Sequence, residues 1–414
     1  MRVIVVGAGA AGLMSANILS KKGCDVVLLE AGDRIGGRIH TLTPPGFSNH
    51  VEAAAEFIHG KLPLTLQLMK KAKLEVVPAT GKMYRSKNDK IDSNFGNSKA
   101  WSEFYEALFD LKRDCSLQEL LDLRFSAKKY ATLRNEAIDM AQGLDLGEPG
   151  KLSLFNVREE WTSQEMQYRP VSGYAPLLEF ISNDSDLGKR QLHFNEKVSR
   201  IEWQRGFVKA ITATDVFIAD AIVVTVPISV YHNNEMEFSP EIPQLKLFDD
   251  IGFGEVIKIA LEFDTMFWEE KYADLGFLFT EAGFTFWTQL SQHKPLLIAW
   301  IGNADASSYD SIADEEMIER SVSELEKTFG NIARDSFRVG KVFRFTKKSP
   351  TKGGYSWFTT KSRSAVAKLN RGIDSTIYFA GEALEPKGDN ATVEAALQSG
   401  RHVANKILRS SKHT

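Results

Sequence analysis

The chain has 414 residues, enough for two or three ordinary domains, and its 43% hydrophobic and 25% charged residues are those of a globular protein, not a disordered one. A formal net charge of -3 leaves no basic excess, which excludes nucleic acid as an expected partner, because backbone binding needs a concentrated positive patch. Cys24 and Cys115 alone make neither a disulfide framework nor a cysteine metal site, no stretch approaches the ~20 apolar residues of a membrane span, and no secretory leader precedes the first strand. The expectation is a cytoplasmic protein with no metal, no nucleic acid and no membrane contact.

Val3 to Val6 reads as a buried parallel strand. It runs into Gly7-Ala8-Gly9-Ala10-Ala11-Gly12, after which Leu13, Ala16, Ile18 and Leu19 predict a helix. In this order Gly7 permits the tight turn, Gly9 lets backbone approach a pyrophosphate, and Gly12 allows the helix to pack on the strand. The phosphate then sits at the N–H groups of the helix start, at Ala10 and Ala11. A second strand, Asp25 to Leu29, ends in Glu30 and Ala31. A carboxylate there accepts from ribose hydroxyls and repels a 2′-phosphate. The pattern marks a dinucleotide site on a Rossmann-like α/β domain; the plainer reading is a glycine-rich turn with no ligand.

Glu30-Ala31-Gly32-Asp33-Arg34-Ile35-Gly36-Gly37-Arg38 then sets two glycines and two arginines beside that site, where guanidinium groups can pair with phosphate. This resembles the flavin amine oxidase family of monoamine oxidases, polyamine oxidases and histone demethylases, whose members carry E-A-x-x-R-x-G-G-R here and bind FAD. The resemblance implies a GR2-type FAD-binding domain with a parallel sheet, and an α+β substrate domain with a mixed sheet. The texture of the chain divides accordingly. Strand-turn-helix alternation fills 1–80, 180–247 and 349–414, whereas helical segments at 81–179 and aromatic-rich strands at 248–348 form the substrate domain.

The resemblance also assigns residues. Val51-Glu52-Ala53-Ala54-Ala55-Glu56-Phe57-Ile58-His59 matches the segment whose backbone passes beneath the flavin ring, which places Ala55, Glu56 and Phe57 at the cofactor and Glu52 and His59 at a cationic substrate. Read without the family, Glu52 is a solvated strand-end carboxylate and His59 a structural histidine. Val198 matches the valine whose main chain meets the adenine end. Lys258 lies mid-strand, with Val256 and Ala260 on its face and Ile257, Ile259, Leu261 and Phe263 on the other; in the family such a lysine holds a water near flavin N5. Gly353-Gly354-Tyr355-Ser356-Trp357 resembles a segment in which an aromatic ring flanks the flavin, with Tyr355 shaping the substrate channel. Gly381-Glu382 would meet the ribityl or pyrophosphate region, and a helix from Thr392-Val393 would aim its N–H groups at the pyrimidine oxygen.

The sequence departs from the family pattern at four places. Tyr355 stands where monoamine oxidases carry the cysteine that attaches FAD, so the flavin should be noncovalent. Thr392 replaces a cage tyrosine, and Phe345 replaces a tryptophan. Phe57 occupies the position where amino acid oxidases grip a carboxylate with arginine. The implied activity is oxidation of an amine C–N bond to an imine by hydride transfer to FAD, with O2 as acceptor giving H2O2, in a soluble, bacterial-type monomer or homodimer. Two alternatives stand: a protoporphyrinogen oxidase or carotene desaturase type acting on an apolar substrate, and a flavin-bound protein that has lost catalysis and binds a partner.

Overall fold

The computed structural model describes residues 1–60, 62–87, 90–93, 98–162, 166–188, 191–386 and 390–410. The apolar run Val3–Val6 becomes the middle of a five-stranded parallel sheet, in the order Ile377–Phe379, Ala221–Val224, Arg2–Val6, Asp25–Leu29, Leu192–His193. The runs are apolar at every position because both faces are covered. Val3, Val5 and Leu28 pack against the helices Ala10–Lys21 and Val393–Ser410, while Ile4, Val6 and Val27 face the four-stranded sheet built from 200–239.

A second sheet has seven strands, ordered Phe337–Phe345, Val256–Phe263, Lys294–Gly302, Thr285–Gln289, Leu275–Thr280, Lys82–Lys87, Lys90–Asp92. It is antiparallel except where Leu275–Thr280 runs parallel to Lys82–Lys87. One face carries Ile257, Ile259, Leu261 and Phe263 beneath the helix Asp314–Phe329. The opposite face carries Lys258, in register with Trp300 on one neighbour and Phe343 on the other. The helices Lys99–Phe109, Leu117–Arg124, Ala131–Gly143 and Leu154–Thr162 enclose a separate cluster around Trp101 and Phe104.

The parallel sheet draws its strands from 2–29, 192–224 and 377–379 and the seven-stranded sheet from 82–92 and 256–345, and two short ladders join segments far apart in the chain. Ile251–Phe253 pairs with Ser356–Phe358, and Val76–Pro78 with Tyr168–Pro170. Pro63–Lys71 forms a further helix, and the helix Ala131–Gly143 is preceded by a separate 3-10 turn, Lys128–Tyr130. Among the described residues no helix is long and apolar enough to cross a membrane.

Candidate active site

At the opening turn a Cβ on Gly12 would lie 1.8 Å from the Gly7 carbonyl, so the helix approaches the strand at a distance only glycine allows. Gly7 has φ +101°, the turn conformation that L side chains avoid. Gly9 differs: the nearest atom to its missing Cβ is Gly36 O at 3.9 Å, and that open space is where a phosphate would sit against the backbone. Glu30 is fixed from behind, its Oε2 accepting from Ala8 N at 2.7 Å and its Oε1 from Gly32 N at 2.8 Å. Each carboxylate oxygen keeps a lone pair for a ribose hydroxyl. Ala31 is exposed beside it, and Gly37 approaches Gly9, whose Cα lies 3.8 Å from where its Cβ would be.

Arg34 is committed to its own loop. Its guanidinium donates to the carbonyls of Ile35, Gly37 and Ile39 at 3.0, 2.8 and 3.0 Å, so it staples the loop that walls the turn. Arg38 crosses to the far end of the chain, donating to the Gly354 carbonyl and to Glu382 Oε1, both at 2.8 Å. Glu382 also accepts from the Ser356 hydroxyl and, at 3.1 Å, from Ala391 N. Arg38, Thr225, Gly381 and Glu382 line one cavity, and nothing lies within 4 Å of where a Gly381 Cβ would be. An open glycine cradle and a carboxylate with lone pairs to spare fit the pyrophosphate and ribose of a dinucleotide such as FAD, and the Arg38–Glu382 pair ties that region to the far end of the chain.

Three further assigned residues have structural partners within the protein. Thr392 caps the final helix, its hydroxyl accepting from Ala395 N at 3.0 Å, while Val393 is buried beside it. Trp357 lies flat on Gly252, where a Cβ would come within 2.0 Å of the indole, and is buried in the helical cluster. Val198 is buried in the core between the two sheets of the first domain. Tyr355 is half-buried, stacks on Trp300 with ring centroids 6.1 Å apart, and hydrogen-bonds to the Leu144 carbonyl.

Glu52, Glu56 and Lys258 meet in the interior. Lys258, fully buried, donates from Nζ to Glu56 Oε2 at 2.8 Å and to the Ala54 carbonyl at 3.1 Å, and lies 5.5 Å over the Trp287 ring. Glu56 Oε1 accepts from Trp287 Nε1 at 2.9 Å and Gln289 Nε2 at 2.7 Å, with Arg169 Nε 3.0 Å away. Burial alone would push this carboxyl up; Lys258 and Arg169 outweigh it and hold it near 2. Glu52 is not solvated. Its Oε1 accepts from Thr41 Oγ1 and Tyr174 N at 2.7 and 2.6 Å, its Oε2 is a buried oxygen with no hydrogen-bond partner, and burial pushes the carboxyl up to about 7.

Arg169 stacks over the Phe57 ring at 4.2 Å, and Lys294, its own ionisation depressed by burial, lies in the field of Glu56 and Glu52. Arg169, Gln289, Trp287 and Lys294 are the residues that sequence reading did not single out. From Phe57 an aromatic row runs through Trp287 and Trp300 to Tyr355, with centroids 5.5, 5.7 and 6.1 Å apart. Exposed His59 joins its other end, 5.9 Å from Phe57.

Comparison with known proteins places this geometry. The model of the flavin containing amine oxidoreductases matches residues 10–408. Polyamine oxidase 4 of Oryza sativa subsp. japonica is 23% identical over 98% of this chain and 88% of its own length. Probable polyamine oxidase 4 of Arabidopsis thaliana is 27% identical over 92% of this chain and 82% of its own. The lysine-specific histone demethylase 1 homolog 2 of the same plant is 26% identical over 98% of this chain and 58% of its own. Among solved structures, putrescine oxidase bound to putrescine and cyclohexylamine oxidase from Brevibacterium oxydans IH-35A each superpose with a TM-score of 0.83 at 19% identity, covering 99% of both chains. The chain belongs to the flavin-containing amine oxidoreductase family.

Proposed function

We propose that the protein is an FAD-dependent amine oxidase that converts an amine C–N bond to an imine, which water hydrolyses, with O2 taking the two electrons to give H2O2. Bound FAD, held noncovalently, supplies the hydride acceptor. The observation that carries the reading is the bond from Lys258 Nζ to the Ala54 carbonyl, which ties the charged face of the seven-stranded sheet to the segment expected beneath the ring. Relatives named for polyamine, putrescine and cyclohexylamine oxidation support the amine class. A hydrocarbon pocket has no use for a buried ammonium, which weighs against the apolar-substrate alternative.

In this reading Gly9, Ala10, Ala11 and Glu30 hold the adenosine diphosphate half, and Arg38, Gly381 and Glu382 the middle. Ala55, Glu56, Val393 and the Thr392 turn border the ring. The aromatic row from Phe57 to Tyr355 excludes water and orients an apolar substrate body, so that its reacting carbon stays against the ring. Val198 faces the adenine through its main chain. The two cysteines, Cys24 half-buried and Cys115 buried, are unpaired, which fits a cytoplasmic setting. Anaerobic mixing of the yellow protein with monoamines, polyamines and amino acids tests the function. Bleaching by an amine supports it; a flavin that no amine bleaches overturns it.

A further inference from the structure

We propose that Glu56 is a positioning residue that keeps Lys258 charged and aimed, and that this pair, not the lysine alone, sets the pH range over which the reduced cofactor passes electrons to O2. The assignment rests on the family reading only for the place of the ring; the pair itself is read from geometry.

An ammonium has three donors. Two on Lys258 are consumed by the chain, at Glu56 Oε2 and the Ala54 carbonyl, and one more remains for whatever occupies the site. Glu56 is equally committed. Its Oε1 is taken by Trp287, Gln289 and the nearby Arg169, so its other oxygen is reserved for the lysine. A glutamate with this many fixed donors cannot swing away, and it pins Nζ to one place.

The charge count gives the pair its function. Around Lys258 stand the cations Arg169 and Lys294 and the carboxyl groups Glu56 and Glu52, with His50 beside Lys294 at 3.5 Å; across the strands its register partners are Trp300 and Phe343, which carry no charge. Glu52 is turned to Thr41 and Tyr174. Glu56 is therefore the single carboxylate in contact with Lys258 among the described residues. Without it, the cations Lys258, Arg169 and Lys294 are left with Glu52 alone in a medium that stabilises none of them, and a lysine, unlike an arginine, can give up its proton. Reoxidation transfers two electrons and, with one proton from solvent, converts O2 and the singly anionic reduced flavin to H2O2 and oxidised flavin. A fixed positive charge favours the anionic oxygen species formed on the way.

The test needs no amine, because the flavin of the holoenzyme can be photoreduced. Reoxidation by O2 and the flavin midpoint potential are measured from pH 6 to 9 in wild type, Glu56→Gln and Glu56→Asp. Wild type and Glu56→Asp should reoxidise at rates constant within about threefold. Glu56→Gln should slow at least tenfold across the range, and its potential should lie above wild type at pH 6 and lose that difference by pH 9. A Glu56→Gln profile parallel to wild type in both measurements overturns the proposal. If that variant fails to hold FAD, Arg169→Met decides: the pair survives in it, so its reoxidation should stay flat, and a tenfold fall with pH overturns the assignment. Failure of every amine to bleach the flavin, with these profiles as expected, would remove the amine reading and leave the pair standing.

Discussion

The Ser15 hydroxyl is shared between the Ala11 carbonyl of its own helix at 2.8 Å and the Gly400 carbonyl at 3.1 Å, joining the first helix to the last across 385 residues of sequence. The bond is possible because a Cβ at Gly400 would lie 2.3 Å from the Ala11 carbonyl, so the two helices touch backbone to backbone. Replacing glycine by alanine in an open helix gains about 1 kcal/mol of propensity. Here the collision dominates, and Gly400→Ala should lose about 1–3 kcal/mol of stability as the helices separate. Denaturant unfolding measures it, and FAD affinity should fall with it because the glycine turn sits at the start of the first helix. A stabilised Gly400→Ala would mean the helices do not meet this closely.

Much of this framework was legible in the sequence because its signals are local. The turn of Gly7 to Gly12 needs no partner to be recognised, and alternation along Val256–Phe263 put Lys258 opposite the core face before any fold was known. The hub around Glu56 was not legible. Its members come from the segments at 52–57, 169, 258 and 285–294, and no spacing rule links them. Arg34 shows a second limit: its position says that it lies near phosphate, and no local pattern reveals that three loop carbonyls accept from the same guanidinium. Phe57 was read as a missing arginine, yet an arginine arrives over its ring from Arg169, far along the chain.

Glu394 makes the second link between chain ends, and it escaped sequence reading because its partners at Leu64 and Thr65 lie some 330 residues away. Its carboxylate accepts from Leu64 N at 3.1 Å, and from Thr65 N and the Thr65 hydroxyl at 2.7 Å, capping the helix Pro63–Lys71 from a distance of some 330 residues. Glu394→Ala leaves buried donors unpaired and should cost about 2–4 kcal/mol. Glu394→Gln, which keeps one acceptor oxygen, should cost less than half as much in the same unfolding experiment.

Glu52 predicts how stability depends on pH. Its carboxyl is raised from an ordinary 4.5 to about 7 by burial, so between those values the folded protein holds a proton that the unfolded chain has released. Stability should therefore fall as pH rises from about 4.5 to 7 and then level, by up to about 3 kcal/mol in all. Glu52→Gln is nearly isosteric with the protonated acid and removes the titration. Its thermal melting should lack this fall and should exceed wild type at pH 8; an identical slope in both proteins would place the titration elsewhere.

The charge on the Lys258 wall also bears on which form of the substrate enters. Lys258, Arg169 and Lys294 meet Glu56, a firm anion, and Glu52, which is half-protonated near neutrality. A protonated amine gains nothing from such a wall, so the neutral amine is the form that binds and reacts. Anaerobic flavin bleaching at low substrate should accelerate by about tenfold per pH unit below the pKa of the amine, then level. Bleaching that slows as pH rises would show that an ammonium is recognised, with Glu52 as its partner.

Thr392 separates two roles that one position can play. As a helix cap its hydroxyl satisfies Ala395 N at 3.0 Å, at the end of the helix that also carries Glu394 and Gly400. Loss of a cap costs about 1 kcal/mol, and serine replaces threonine there with little change. Thr392→Ala should therefore lower the melting temperature by about 1 °C, Thr392→Ser should restore it, and neither should change the amine KM more than about threefold. A substrate contact predicts the reverse, with KM rising while melting stays put. Measuring both quantities on the same two variants decides which interaction fixes threonine at this turn, because the cap acts through the backbone of the terminal helix and a substrate contact does not.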